Sequence, residues 1–285
     1  MKKRNKMLMT RSLALITALL VGTALSSSQA FAGDDCSDLG LGNKAAIHAA
    51  LRQALSDVAP DKAANGGLGN NMWGTIVDRD GKVCAVAFTG SDRNEQWPGS
   101  RVISAQKANT AASFNLPKGL GGTVDALSTA NLWTQAQPGG SLFGLQFSNP
   151  VDPEVAFGGP GPGGQATKYG TPQDPLVGRF PGGLNVFGGG LGLYNASGDK
   201  VGGLGVSGDT SCADHNIAWR TRNLLGLDKL FTAGVSGLSA SPRQDNIIYD
   251  VSTSDPHHAV NNSTSGFGHP KCGFGEDSKV LPPTT

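Results

Sequence analysis

Residues 188–226 read GGGLGLYNASGDKVGGLGVSGDTSCADHNIAWRTRNLLG, and this stretch decides the fold. Two runs of apolar or small residues, Gly190–Tyr194 and Lys200–Ser207, flank the segment Asn195-Ala-Ser-Gly-Asp199. Turn chemistry between two such runs predicts a β-hairpin. Ser207-Gly-Asp209 ends the second strand. Ser211, with Asp214 three residues on, predicts the capped start of a helix that stops at Gly226. Ala213, Ile217 and Leu224, with Ala218 and Leu225 beside them, give that helix one apolar stripe. Gly202, Gly203 and Gly205 strip side chains from the strand before it. A bare strand permits close approach of a helix, a second subunit or a flat ligand.

The same plan occurs once earlier. Residues 76–90, IVDRDGKVCAVAFTG, again read as strand, turn and strand, and an Ala-rich helix follows from Arg101 to about Phe114. The run Val83–Phe88 is continuously apolar, which predicts a mid-sheet strand covered on both faces. Upstream, Asn43 caps a helix to about Val58 in which Ile47, Leu51, Ala54, Leu55 and Val58 fall at helical spacing. Residues 33–230 thus read as one domain, with an irregular Gly/Pro-rich insert at about 117–181. Within the insert, Val124–Gln137 is expected to be helical and Phe157–Gly164 to be a loop. Residues 231–285 form a polar tail.

Met1–Ala32 has the features of a secretory leader. Five Lys or Arg residues precede a short apolar core, Leu13–Leu25, and Ala30-Phe-Ala32 is a small-residue cleavage site. The core is too short to span a membrane. The expected location is secreted or periplasmic. Removing the leader leaves 18 of the 23 basic residues against 22 acids, a net charge of −4. A mildly acidic surface argues against nucleic acid or an anionic membrane as partner. All four cysteines, Cys36, Cys84, Cys212 and Cys272, lie beyond the leader. In an exported chain an even count implies two disulfides, and of the three pairings Cys36–Cys84 with Cys212–Cys272 is preferred. That pairing ties the N-terminus to the first hairpin and the tail to the last helix.

Several chemistries can be tested against these residues. Gly203-Leu-Gly205-Val-Ser-Gly208 matches a dinucleotide pattern, but its glycines fall inside a strand whose partner is a hairpin, not a βαβ unit. Ser207 lies in Gly-Val-Ser-Gly and lacks the nucleophile-elbow context. His257, His258, His269 and Cys272 sit in the tail without a closed metal-ligand spacing. His48 sits beside Ile47 in the first helix and reads as an ordinary helix residue with no ligand role. No Cys-x-x-Cys-His motif is present, which excludes c-type haem attachment. His215 differs from these. It lies in the first turn of the last helix, beside a strand bare of side chains, where an imidazole could serve as axial ligand to a planar macrocycle.

At these residues the chain resembles the GlcG/HbpS haem-binding, haem-degrading family. The similarity runs through the opening helix and the hairpin beginning Trp73-Gly-Thr-Ile-Val-Asp-Arg-Asp-Gly81. It continues in Ala105-Gln-Lys-Ala-Asn-Thr-Ala111, Phe180-Pro-Gly-Gly183 and Val201-Gly-Gly-Leu-Gly-Val-Ser-Gly208. The resemblance implies an α/β (α+β) fold, an α-β-α sandwich around a central antiparallel sheet with profilin-like topology. It also implies non-covalent haem binding and assembly into a homo-oligomer. Carried onto this chain, Lys107 and Thr110 become haem-side residues; beside that, the residues themselves suggest Gly203 and Gly205 against the ring and His215 or Thr110 at the iron. The long insert, the four cysteines and the tail depart from the family pattern and could cover the faces used elsewhere. Three functions follow: an exported haem-handling protein, a structural or interaction module that keeps the fold without cofactor, and a redox enzyme acting on a tetrapyrrole or small substrate.

Overall fold

Trp73–Asp78 (β1) and Val83–Phe88 (β2) pair antiparallel, with Trp73 opposite Phe88. The turn between them closes on Gly81, whose φ is 90°. The carboxylate of Asp78 accepts the amides of Asp80 and Lys82 at 3.1 and 2.9 Å. The second hairpin joins Gly190–Tyr194 (β3) to Lys200–Ser207 (β4), and β4 also pairs with β1 along its length. The sheet order is β2-β1-β4-β3, so the glycine-rich strand is central. The computed structural model describes residues 36–115, 126–158, 165–230, 245–252 and 263–284. These belong to one unit, Ala32–Thr285. The expected leader, the Pro/Gly run 159–164 and His257 and His258 lie outside the described residues.

Helices cover both faces. Lys44–Val58 (α1) is capped by Asn43, whose side chain accepts the Ala46 amide, and the short Lys62–Asn65 (α2) follows. Ser100–Ser113 (α3) and Ser211–Leu224 (α5) follow the two hairpins, with Pro153–Phe157 (α4) in the insert between them. Leu51 and Leu55 of α1 and Ile217 and Trp219 of α5 pack with Ile76, Leu204 and Val206 on one face. On the other, Ala105, Ala108 and Ala112 of α3 pack with Trp73, Val77 and Val83. The architecture is a mixed α+β sandwich around an antiparallel sheet. Each fully buried Leu or Ile of these cores contributes roughly 1.5–3 kcal/mol.

The strand alternation decides which face is bare. Leu204 and Val206 of β4 point to α1 and α5, and Gly203 and Gly205 point to α3. A Cβ at Gly203 would fall on the Ala108 carbonyl oxygen, and one at Gly205 on that of Ser104. The bare strand is therefore filled by the chain's own helix.

Three expectations are corrected. Val83–Phe88 is an edge strand, not a central one. Its apolar run reflects burial on both faces, and the insert seals its free edge: Gly178 donates to the Val83 carbonyl at 2.8 Å and Val83 to that of Arg179 at 2.9 Å. Helix α5 is capped by Thr210, not Ser211. Asp214 is drawn instead to Lys107 and to the Asp209 amide. The expected helix at Val124–Gln137 is reduced, within the described residues, to 3-10 turns at Thr129–Leu132 and Thr134–Ala136. There the polar side chains bond outward to the tail, and Pro138 with its two glycines ends the run.

The structure joins Cys36 to Cys84 and Cys212 to Cys272, across separations of 48 and 60 residues. In the chain-entropy account each bridge contributes about 4 kcal/mol. Among the described residues no helix is long and apolar enough to cross a membrane.

Candidate functional site

The glycines Gly188–Gly190 lead into β3 where α3, the first turn of α5, the insert and the tail converge. Side-chain bulk is excluded here. A Cβ at Gly188 would strike the Ser211 carbonyl, and one at Gly190 would strike Thr129. Lys107 reaches this point from α3. Its Nζ lies 2.7 Å from Asp214 Oδ2, donates to the Val206 carbonyl at 3.0 Å and stands 4.7 Å from the centre of the Phe187 ring. Both ions are fully buried. Desolvation pushes Asp214 up to about 6 and Lys107 below its ordinary value; their mutual attraction opposes both shifts without cancelling them. The carboxylate is anchored further by the Asp209 amide at 2.8 Å.

His215 is wholly enclosed. Its Nε2 meets Asn246 Oδ1 at 3.2 Å, and its ring packs 6.1 Å from that of Trp219. If Asn246 Oδ1 accepts, Nε2 carries the proton, and Nδ1 is a bare nitrogen with no hydrogen-bond partner among the described residues. Burial, and then the charge of Arg222, hold this imidazole down at about 3, so it is neutral. His269 is neutral too, lowered by burial to about 4. Its Nδ1 donates to the Pro270 carbonyl at 2.7 Å, its Nε2 faces the Gly188 amide at 3.5 Å, and its ring lies 5.9 Å from that of Trp133.

A roof of insert and tail closes the cluster. Thr129 donates to the Phe187 carbonyl at 2.6 Å and accepts the Gly190 amide at 2.9 Å. Asn131 donates to the Asn246 carbonyl and Thr134 to that of Gly268. The Cys212–Cys272 bridge pins the tail onto α5. Two buried ion pairs anchor the additions. Arg222 of α5 holds Asp245 of the tail at 2.6 and 2.9 Å, and Arg101 of α3 holds Asp174 of the insert, with 2.9 Å from Nε to Oδ2.

The structure thus brings Lys107 and His215 into one cluster and places Thr110 and the two glycines outside it. Thr110 is buried against the insert, donating to the Gln106 carbonyl at 2.7 Å and accepting the Asn185 amide at 2.9 Å. Gly203 and Gly205 lie beneath α3. None of the five is open to a macrocycle in this arrangement. Cavities of about 400, 350 and 300 Å³ occur at the surface. They are lined by Lys44, Ile47 and Lys82, by Phe88, Arg93 and Tyr169, and by Ala50, Leu224 and Leu225, and none by Lys107, Thr110 or His215.

Sequence reasoning missed His269, dismissed with the tail, and the partners Asp174, Asp245 and Asn246. One signal was available. His215, Trp219 and Arg222 recur at helical spacing on a face that must be buried, and a charge on such a face needs a buried counter-charge.

A four-stranded antiparallel sheet between helix layers, with α3 seated on a glycine strand, defines the class of α+β sandwich domain. The family described as Haem degrading protein HbpS-like matches residues 47–222, from α1 into α5, and the chain belongs to that family. Among solved structures it is similar to the haem complex of PduOC at 20% identity, covering 62% of this chain and 89% of that one, with a TM-score of 0.38. It is similar to Klebsiella pneumoniae protein ORFY at 24% identity, covering 62% and 88%, with a TM-score of 0.37. HbpS itself matches at 19% identity, covering 63% and 86%, with a TM-score of 0.34. No curated protein matches the chain.

Proposed function

We propose that this protein handles haem, associating with it non-covalently outside the cytoplasm. The observation that carries the reading is the family match over residues 47–222, which takes in all four strands, the whole of α3 and most of α5. Two features of the chain support its finer parts. All four cysteines are spent in bridges, so none is free to form a thioether with a vinyl group. The same two bridges, with the leader-like Met1–Ala32, suit a secreted or periplasmic address. A homo-oligomer, as the family resemblance implies, is part of the same proposal, and the mass of the purified chain in solution decides it.

Haem supplies an iron centre to whatever site holds it. As arranged, Lys107, Thr110, Gly203, Gly205 and His215 do not fit one. The bare Nδ1 of His215 has the right donor chemistry, but insert, tail and α3 fill the space a macrocycle needs. The association proposed is therefore with an outer face of the domain, and no chemical step is assigned to the iron. Titrating the oxidised chain with hemin tests this. Saturable growth of the Soret band, with haem co-migrating on gel filtration, is expected. Only the linear uptake of a non-binding control protein would sink it.

One observation favours a second reading, that of a structural or interaction module that keeps the fold without cofactor. The glycine strand, the most specific mark of the resemblance, is wholly occupied by α3. Absence of saturable hemin binding would leave this reading standing.

A further inference from the structure

The bridge between α5 and the tail lies beside an imidazole. Cys212, Cys272 and His269 each offer a ligand atom, and the three atoms lie within 4.8 Å of one another. Cys212 Sγ and His269 Nδ1 are 3.9 Å apart. An ion bound tetrahedrally at ~2.3 Å from sulfur and ~2.0 Å from nitrogen sets those two donors about 3.5 Å apart. Sulfur and imidazole thus stand a few tenths of an ångström from ligand spacing, and the two sulfurs need only part to about 3.8 Å.

The surroundings suit thiolates. Cys272 Sγ accepts the Cys212 amide at 3.2 Å and meets Ser211 Oγ at 3.5 Å, at the N-terminus of the 14-residue α5. Amide donors and the positive end of a helix stabilise a thiolate there. His269 and Cys272 share one His-Pro-Lys-Cys turn, held by the His269 amide on the Ile248 carbonyl at 2.8 Å. Ligation through Nδ1 moves the ring proton to Nε2 and gives up two contacts, the 2.7 Å bond to the Pro270 carbonyl and the longer Gly188 contact at 3.5 Å, which the new metal bonds must offset. The bridge Cys36–Cys84 has a carboxylate, Asp78, as its third neighbour in place of an imidazole, a donor less suited to a thiophilic cation.

We propose that reduction of Cys212–Cys272 creates a Cys2His site for a thiophilic cation of the Zn²⁺ class. A dithiol reductant supplies two electrons and two protons, becoming a cyclic disulfide and leaving two cysteine thiols. The cation displaces both thiol protons as it binds two sulfurs and one nitrogen, with solvent as fourth ligand. Bridge and ion exclude each other, so the site is gated by redox state.

The test uses the full chain, reduced and desalted without oxygen, and titrated with Co²⁺ as a spectroscopic stand-in for Zn²⁺. The expected result is a single equivalent showing thiolate-to-cobalt charge transfer and strong tetrahedral visible bands, displaced by Zn²⁺. The oxidised chain should show neither. His269→Ala should weaken binding tenfold or more, and Cys272→Ser should abolish the tight phase. Binding by the oxidised chain, or binding that both variants leave unchanged, overturns the proposal. Should reduction melt the chain, Zn²⁺ is expected to restore its circular dichroism in the wild type and not in His269→Ala. Equal recovery in both, or none in either, overturns it as well.

Discussion

The molecule is built from two strand-turn-strand-helix units, β1-β2-α3 and β3-β4-α5, and their helices lie on opposite faces of one sheet. Helix α3 meets the sheet with Ser104, Ala108 and Ala112 against bare glycines, so backbone touches backbone and no room is left between. Helix α5 meets it with Ile217 and Trp219, turns His215 and Arg222 toward the tail, and turns Asp214 toward Lys107 of α3. One helix meets the sheet where side chains are absent and the other through bulky ones; away from the sheet both carry buried charge, Arg101 and Lys107 on α3 and Asp214 and Arg222 on α5, whose partners come from distant sequence. Small residues set how near a helix comes, and polar residues on a buried helix face mark what else must fold over it.

The sharpest way to break the contrast is to add one methyl group beneath α3 and one at its N-terminal end. Gly205→Ala drives a Cβ into the Ser104 carbonyl and should cost about 3 kcal/mol or more, or prevent folding. Gly99→Ala, which meets nothing within 4 Å, should stay within about 0.5 kcal/mol. Thermal melts of the pair measure the difference.

The ion pairs sharpen it next. Arg222→Met leaves Asp245 buried and unpaired and should cost roughly 3 kcal/mol or more, with the tail loosened. Adding Asp245→Leu should recover much of that loss, which denaturant titration of the single and double variants will show.

Acid should then weaken the α5 side. His215 and His269 fall from 6.5 to about 3 and about 4 in the folded chain. Between these values and 6.5 the unfolded chain holds protons that the folded chain refuses, so stability drops as pH falls. Asp214, raised from 3.8 to about 6, acts in the opposite sense between those values. From pH 7 to pH 5 the net loss should be on the order of 2 kcal/mol. His269→Gln should flatten the profile measured by chemical unfolding across that range.

The smallest effect concerns the caps. Thr210 accepts the Ala213 amide at 3.2 Å, and α3 has no side-chain cap at Gly99. Thr210→Ala should cost about 1 kcal/mol in the same melts.

Much of this fold is legible in the sequence, for local reasons. Asn195-Ala-Ser-Gly-Asp199 and Asp78-Arg-Asp-Gly81 announce turns, and the strands on either side follow from them. Asn43 fixes the start of α1 by a cap made within four residues. What is not legible depends on distance along the chain. The apolar run Val83–Phe88 reports burial but not sheet order, because the cover on its edge comes from Gly178 and Arg179 in the insert. The glycines of β4 announce close approach without saying by what. Lys107 and His215 carry the chemistry expected of a ligand site, yet their partners Asp214 and Asn246 lie 107 and 31 residues away. A carboxylate that reads as a helix cap, and an asparagine in a polar tail, give no sign of being a buried counter-ion and a lid.

The measurement that bears most directly on the account is a hemin titration of the oxidised chain and of His215→Ala side by side, followed at the Soret band. Saturable binding of equal affinity in both is expected if haem meets an outer face as proposed, since the imidazole is sealed beneath Asn246. Binding lost in the variant would contradict the sealed cluster and return the iron to His215. No saturable binding in either would contradict haem handling itself.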